Sequence, residues 1–454
     1  VAVVTQPTPQ WVCYAHSSAA FPLLYGAQMI EKGFKSKMAS EPTKAAKFHH
    51  RIAEKIMSGH TLIYCVQNFY EYSEGLYIQK YDPEIHQWMM AIIKEKYTRH
   101  VANEIISILK NKCFIRPERI NYTDLINLKN GMLDLSNSEP KLLKHDSKYL
   151  STIQLDINYV EEACPFLWDK TLKEILHWED VKTIQEFFGL CLTKNTTFQK
   201  ALFMVGEGSN GKGVITHVLE RLVGLNNRSC IPIEKLSDEK LIGGLYEKLI
   251  NISTETTAKG FIHDSTFKTV VAGESIHANP KYKIPFEFTP FCKMIITTNN
   301  MPKTNDTSYA FFRRMIIIPF ERQFSEDEQN KQLRYELEEE LSGILLWAVS
   351  GLMRLRKNKC FTVSDRNKKQ QKEYQKSNNP VLLFVEECCY IEINAFVGIN
   401  LLYEKYSNFC KNSNYRALGK NNFSKEVKRQ FKELVNNDNK KSGNRVWEGI
   451  GYNE

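Results

Sequence analysis

The stretch Ala201-Leu-Phe-Met-Val-Gly-Glu-Gly-Ser-Asn-Gly-Lys-Gly-Val-Ile-Thr-His-Val-Leu-Glu-Arg-Leu-Val-Gly224 decides the fold. The apolar residues Ala201 to Val205 run into a glycine-rich turn, and Val214, Ile215, Val218, Leu219 and Leu222 then recur at helical spacing up to Gly224. The pattern predicts a strand, a loop and a helix. Within the loop, Gly206, Gly211 and Lys212 hold the spacing of a phosphate-binding loop. Glycines at 206, 208 and 211 leave the backbone free to curl its amide N–H groups around an anion, with the positive end of the helix behind it. Lys212 can reach the β- and γ-phosphates as a point charge. The candidate nucleotide contact is therefore the run Gly206, Glu207, Gly208, Ser209, Asn210, Gly211, Lys212, Gly213 and Val214. One position departs from the pattern: Gly213 stands where a serine or threonine hydroxyl would meet Mg²⁺. The competing reading, a glycine-rich turn with a chance lysine, is disfavoured by the strand before the loop and the amphipathic helix after it.

Composition sets the class around this core. The chain has 454 residues, 42% of them hydrophobic and 25% charged, which is ordinary for globular protein and long enough for several domains. There is no long apolar run and no basic start followed by an apolar core, so neither a membrane span nor a signal peptide is expected. The chain begins at Val1 and not at a methionine, which reads as a fragment or a processed product. Eleven cysteines without a Cys-x-x-Cys pair point to a reducing compartment and against a structural metal. The net charge of +9 is unevenly placed. Arg354 to Lys376 carries nine Lys/Arg against Asp365 and Glu373, and Lys405 to Arg445 carries eleven against Glu426, Glu433 and Asp438. Such segregation suits a polyanionic partner, the bland alternative being a solvated helix face.

Upstream of the loop, helical spacing is expected over residues 43–57, 84–97, 100–110 and 165–192, with Trp168 and Trp178 as packing residues. Residues 61–66 and 76–81 read as strands joined by a turn at 72–75. Asn130-Gly131 between apolar runs reads as a tight hairpin turn. Downstream, Lys248 to Glu255 is a short apolar strand ending in an acid. In phosphate-loop ATPases such a strand sits beside the first and aims its carboxylate at Mg²⁺ and the attacking water, which makes Glu255 the candidate. Phe291 to Thr298 is a further strand, and Asn299 at its tip can orient the lytic water. Arg314, or Arg313 beside it, precedes the strand Met315 to Phe320 and could reach a phosphate bound by a neighbouring subunit. A helix is expected over residues 264–271. After it, two short strands around Asn279 and Pro280 would form a hairpin whose tip bears Lys281, Tyr282 and Lys283, two cations flanking an aromatic, suited to phosphate contact and stacking. An exposed basic turn without function is the competing reading there.

Assembled in this order, the chain resembles the superfamily 3 helicases, and more narrowly the helicase half of the primase-helicases of poxviruses and related large cytoplasmic DNA viruses, with phage and plasmid relatives. The resemblance rests on Gly206 to Gly213, the strand ending at Glu255, Phe267 to Gly273, Thr297 to Pro302 and Phe312 to Phe320. Upstream it rests on Asn127-x-x-Asn130-Gly131-x-x-Asp134 and on Glu186-Phe-Phe-Gly189. It implies an α/β fold with an AAA+-like ATPase core over 193–350. A mixed α/β collar-like domain over 44–192 would precede the core, with an irregular entry segment over 1–43. A basic linker over 351–378 and a winged-helix-like DNA-binding domain over 379–454 would follow. It further implies an ATP- and Mg²⁺-dependent ring, a hexamer of this chain, that moves single-stranded or forked DNA in viral replication in the host cytoplasm, alongside polymerase or processivity partners. Lys212 would bind phosphate, Glu255 would serve the metal through water, Asn299 would be the sensor and Arg314 the finger acting on a neighbour. Lys268 and Arg313 would approach the nucleotide across the interface, and Lys281 and Lys283 would grip DNA. No Asp-x-Asp pair is present, so a primase, if any, is expected upstream. The alternative readings are a DNA-binding ATPase scaffold that turns over poorly, motivated by Gly213, and a loader or packaging ATPase without unwinding.

Overall fold

The computed structural model describes residues 43–137, 139–254, 262–281, 284–304, 306, 308–413, 415, 417–431, 440–441 and 444–453. They fall into two compact units, one made of the chain up to Tyr64 together with Lys80–Phe114, the other of Cys65–Gln79 and everything from Ile115 onward. This division runs through the segment 44–192 that sequence alone treats as one domain.

In the first unit, helices Lys44–Gly59, Asp82–Ile93 and Arg99–Lys112 form where the spacing predicts them. Thr43 and Thr98 cap two of them, each hydroxyl accepting from a first-turn amide. Their apolar stripes, Ile52 and Ile56 on one and Ala102, Ile105 and Leu109 on another, are buried.

The second unit takes in a hairpin of strands Asn68–Ser73 and Leu76–Lys80, the latter as far as Gln79, turning on Glu74 and Gly75, both at positive φ. The expected turn over 72–75 is thus shorter, and a strand was missed before it, because its polar, tyrosine-rich sequence reads as loop. The hairpin Ile126–Leu128 with Gly131–Asp134 also forms, but one residue out of the expected register. Leu128 pairs with Gly131, so the turn is Lys129-Asn130 and Asn130 has no positive φ. Gly131 is required for another reason: a Cβ there would lie 2.4 Å from the Leu143 carbonyl of the neighbouring strand. The buried Asn127 holds this region together, donating to Gly75 O at 2.9 Å and to Ser151 Oγ at 3.1 Å.

Helices α1 (Phe166–Ile175) and α2 (Trp178–Cys191) occupy the predicted helical stretch. Trp168 is fully buried as expected, but Trp178 is 76% exposed at the start of α2, its ring meeting only that of the neighbouring His177 among the described residues. There follow β1 (Ala201–Val205), α3 (Lys212–Val223), β2 (Arg228–Ser229), β3 (Ile250–Thr254), β4 (Lys293–Thr298), β5 (Met315–Pro319), α4 (Leu333–Glu338) and α5 (Leu341–Asn358). The strands make one parallel sheet in the order β5-β1-β4-β3-β2. Both its faces are covered, as a parallel sheet requires. Leu202 and Met204 of β1 point into a core with α2, α3 and α5, while Ala201 and Phe203 point into a second core with Phe267, Val270 and Phe311.

Helices α2 and α5 cross in close contact. A Cβ on Gly189 would lie 2.4 Å from Ala348 O, and one on Gly351 would lie 2.4 Å from Gln185 O, so only glycines let the two backbones approach. Beside the crossing, the fully buried Glu186 accepts from Arg354 Nε at 2.7 Å and from the Thr362 amide at 2.7 Å. Glu186-Phe-Phe-Gly189 is therefore a packing motif.

Residues 351–378 are not a linker. The helix α5 runs through to Asn358, and a further helix, Asp365–Ser377, packs on β5 with Tyr374 buried and its hydroxyl donating to Pro302 O at 2.6 Å. Several basic residues of this stretch are paired: Arg354 with Glu186, Arg366 with Glu321 at 2.9 Å and Lys368 with Asp365 at 2.9 Å. Pairing within the fold, which composition cannot reveal, uses up much of that local charge.

The C-terminal part builds its own core. Helices Pro380–Cys388, Ile399–Asn412 and Lys420–Gln430 pack with the antiparallel strands Cys389–Gly398 and Asn444–Tyr452 around Phe384, Tyr406, Phe423 and Trp447. No described helix is long and apolar enough to cross a membrane.

Candidate nucleotide-binding site

The site grows from the sheet's C-terminal edge. Val205 is in register with Thr298 of β4 and Pro319 of β5, and Thr297 is in register with Thr254 of β3, so these strands end together. The crevice beyond such an edge, where neighbouring strands connect in opposite directions, is where open α/β sheets hold ligands. Here an open cleft of about 1240 Å³ is lined by Gly208 to Val214, by Thr254, Thr298 and Asn299, and by Phe324 to Tyr335 on the far rim.

The loop is held in place by glycine-dependent contacts. Gly206 N donates to Thr298 O at 3.1 Å, and a Cβ at 206 would lie 2.3 Å from Phe320 O. Gly211 has φ +87°, and its missing Cβ leaves room for Ile175 at 2.6 Å. Asn210, nearly buried, donates to Phe320 O at 3.3 Å. Lys212 lies across the loop, donating to Gly206 O, to Glu207 O at 3.1 Å and to Asn210 Oδ1 at 3.0 Å. Burial pushes its ammonium below the ordinary lysine value. A cation satisfied only by loop carbonyls and an amide oxygen is poised to exchange them for an anion's oxygens.

The other predicted residues are placed as follows. Asn299 lies in the cleft, at the tip of β4 and next to the loop strand. Glu255 lies outside the described residues, though Thr254 before it lines the cleft. The strand that leads to it does not sit beside β1, because β4 is inserted between them. Arg313 and Arg314 are at the opposite edge, since β5 runs parallel to β1 with Met315 beside Ala201. Five residues at about 3.3 Å each put them about 16 Å from the loop along the strand. Arg314 is 7% exposed and donates to Ala310 O, while the half-buried Arg313 donates to Gln199 Oε1 at 2.6 Å. Lys268 is paired with Asp306 at 2.7 Å and does not line the cleft. The basic hairpin forms as expected, with Ile276–Ala278 pairing Phe286–Phe288 and Lys281 exposed at its tip. Tyr282 and Lys283 lie outside the described residues. Sequence reasoning missed the far rim, Arg334 above all. It is far from the loop in the chain, and no motif marks it.

Three family models match in succession: "D5 N terminal like" over residues 37–177, "Family of unknown function (DUF5906)" over 204–314 and "Poxvirus D5 protein-like" over 376–454. The chain resembles the D5-type primase-helicases. Among curated relatives, the "Putative helicase" of Acanthamoeba polyphaga mimivirus is 24% identical over 263 residues, 52% of this chain and 26% of that protein. The "Putative helicase" of Frog virus 3 is 26% identical over 140 residues, 27% of this chain and 14% of that protein. The chain thus spans about a quarter or less of either. Among solved structures, two apo forms of the NrS-1 C-terminal region superpose with TM-scores of 0.53 and 0.51 at 12% identity, covering 88% of this chain and 98% of theirs. At that identity the likeness is one of fold: mixed α/β around the five-stranded parallel sheet.

Proposed function

We propose that the chain is the motor portion of a viral replicative DNA helicase, powered by ATP hydrolysis on a superfamily 3, AAA+-like core. The observation that carries this is the cleft: a glycine loop with a tethered lysine opens at the C-terminal edge of a parallel sheet, and Asn299 projects from the adjacent strand. In this reading the loop amides and Lys212 take the β- and γ-phosphates. Lys212 gives up its contacts to Glu207 O and Asn210 Oδ1 as it does so. Asn299 orients the attacking water, and Glu255, next to Thr254 at the cleft, accepts its proton. Arg314 or Arg313, at the opposite edge, would serve the site of a neighbouring subunit in a hexamer. Accessibility favours Arg313, since Arg314 would first have to leave its buried position. Lys281, Tyr282 and Lys283 would grip the DNA strand, joined by the exposed Lys425 and Arg429 of the C-terminal helix.

Mg²⁺ ordinarily accompanies such a triphosphate. The described residues around the loop do not fit it: Gly213 has no hydroxyl, Thr216 one turn on donates back to Lys212 O at 3.2 Å, and no cluster of three His, Cys, Asp or Glu forms among the described residues. No step here is routed through the ion.

Strand displacement on a forked duplex tests the proposal. Unwinding that requires ATP and is abolished by Lys212→Ala is expected. ATP hydrolysis without unwinding would leave a loader or scaffold, and absence of both would end the motor reading.

A further inference from the structure

Gly213 is the loop position that the phosphate-binding pattern does not account for, and its surroundings supply a reason. A Cβ at 213 would lie 2.8 Å from Arg334 Nη2, so the guanidinium stands where a serine or threonine side chain would begin. Arg334 is carried by α4, and Glu338 follows it by four residues on the same face. Glu338 in turn accepts from His217 Nε2 at 2.8 Å and pairs with Arg221 Nε at 2.9 Å. Gly213, His217 and Arg221 are themselves four apart along one face of α3. The two helices therefore meet turn against turn: Glu338 clamps the later turns of α3, and Arg334 is set over the first. Burial would raise the Glu338 carboxyl, but hydrogen bonds from Arg221 and His217 hold it below the ordinary carboxylate value, so the clamp is charged at neutral pH.

Arg334 lines the cleft together with Lys212, yet it makes no hydrogen bond or ion pair among the described residues. Lys212, by contrast, is held by Gly206 O, Glu207 O and Asn210 Oδ1. A guanidinium beside the glycine loop, with no partner among the described residues, has the geometry to take two anionic oxygens at once. Resting on the nucleotide reading of this cleft, we propose that Arg334 is a second phosphate-binding cation, acting in the same subunit as Lys212 from the place that Gly213 leaves open. The glycine and the arginine are then one device: any side chain at 213 would displace the guanidinium. Part of the charge neutralisation that a metal ion provides beside a hydroxyl-bearing loop falls to a fixed cation, and triphosphate binding depends less on Mg²⁺ as a result.

The test is equilibrium binding of a fluorescent ATP analogue, followed by anisotropy, in Mg²⁺ and in EDTA. Wild type should bind in both. Arg334→Ala should weaken binding in EDTA about tenfold or more, and Arg334→Lys should retain part of it, both with unchanged circular dichroism because the side chain supports no packing. Gly213→Thr should weaken binding by evicting the guanidinium. The double variant Gly213→Thr/Arg334→Ala should regain affinity only when Mg²⁺ is present. If Arg334→Ala binds within twofold of wild type in EDTA while Lys212→Ala loses binding, the role of Arg334 is overturned and the nucleotide site stands. If Lys212→Ala also binds like wild type, the nucleotide reading itself fails.

Discussion

Replacing Gly189 with alanine should drive apart the two helices that brace the sheet behind the nucleotide loop. The new Cβ would lie 2.4 Å from Ala348 O and 2.6 Å from Leu352 N, both backbone atoms of α5 that no rotamer change can move. Non-bonded heavy atoms settle about 3.5 Å apart, so α5 must retreat by about 1 Å. Overpacking of this kind costs about 1–3 kcal/mol. The same retreat stretches the 2.7 Å contact from Arg354 to the fully buried Glu186 and the 2.8 Å bond from Gln185 to Trp347 O. Stranding a buried carboxylate outright costs about 3–5 kcal/mol, of which a stretched pair forfeits part. Together these give about 3–6 kcal/mol. At about 2–4 °C per kcal/mol for a domain of this size, the melting temperature should fall by about 6 °C or more. Trp168 and Trp347 meet edge to face at 5.5 Å beside the crossing, so their fluorescence reports the change directly during a thermal melt. Gly208→Ala, where a Cβ meets nothing within 4 Å, is the control and should melt with wild type. A Gly189→Ala protein that melts within 2 °C of wild type would refute the account of this crossing.

Other perturbations test separate parts of the structure. Gly211→Ala places a Cβ on a left-handed residue and 2.6 Å from Ile175. Backbone strain of about 1–2 kcal/mol should distort the loop and cut nucleotide affinity about tenfold, as read by calorimetric titration, and unaltered affinity would show that the loop does not need this shape. Lys293 is buried at the start of β4 beside Cys191 and Cys292, and burial lowers its ammonium to about 8 from an ordinary 10.5. Between those values the unfolded chain binds more protons than the fold, so stability rises with pH. Wild type should therefore gain about 3 kcal/mol relative to Lys293→Met from pH 8 to 10.5. The neighbouring thiols, pushed up to about 12, stay neutral throughout. A pH-independent difference in melting temperature between the two proteins would contradict a lysine whose ammonium burial destabilises in the fold.

Local pattern and long-range pairing were not equally legible in the sequence. The strand, loop and helix around Gly206 to Gly213 could be read directly, because glycine spacing and 3.6-residue periodicity are local. The same holds for the helix Asp264–Ala272 and the hairpin bearing Lys281. The insertion of β4 between β1 and β3 could not be read, because adjacency in a parallel sheet is set by crossover connections that leave no periodic trace. For the same reason Asn299, and not the strand leading to Glu255, neighbours the loop strand. The stretch 351–378 looked like a linker because its charges were counted without their partners, Glu186 and Glu321, which come from distant parts of the chain. Gly213 could be seen as a departure, but its explanation needed Arg334, which only the packing of α4 on α3 brings near.

Hydrogen–deuterium exchange with and without ATP tests the central claim most directly, because it locates the ligand without presupposing turnover. Protection is expected in the peptide spanning Val205 to Thr216, with a second protected segment on the rim from Phe324 to Tyr335, and both should vanish in Lys212→Ala. Saturating ATP that leaves these segments unchanged, or protects a different surface, would contradict the assignment of this cleft as the nucleotide site.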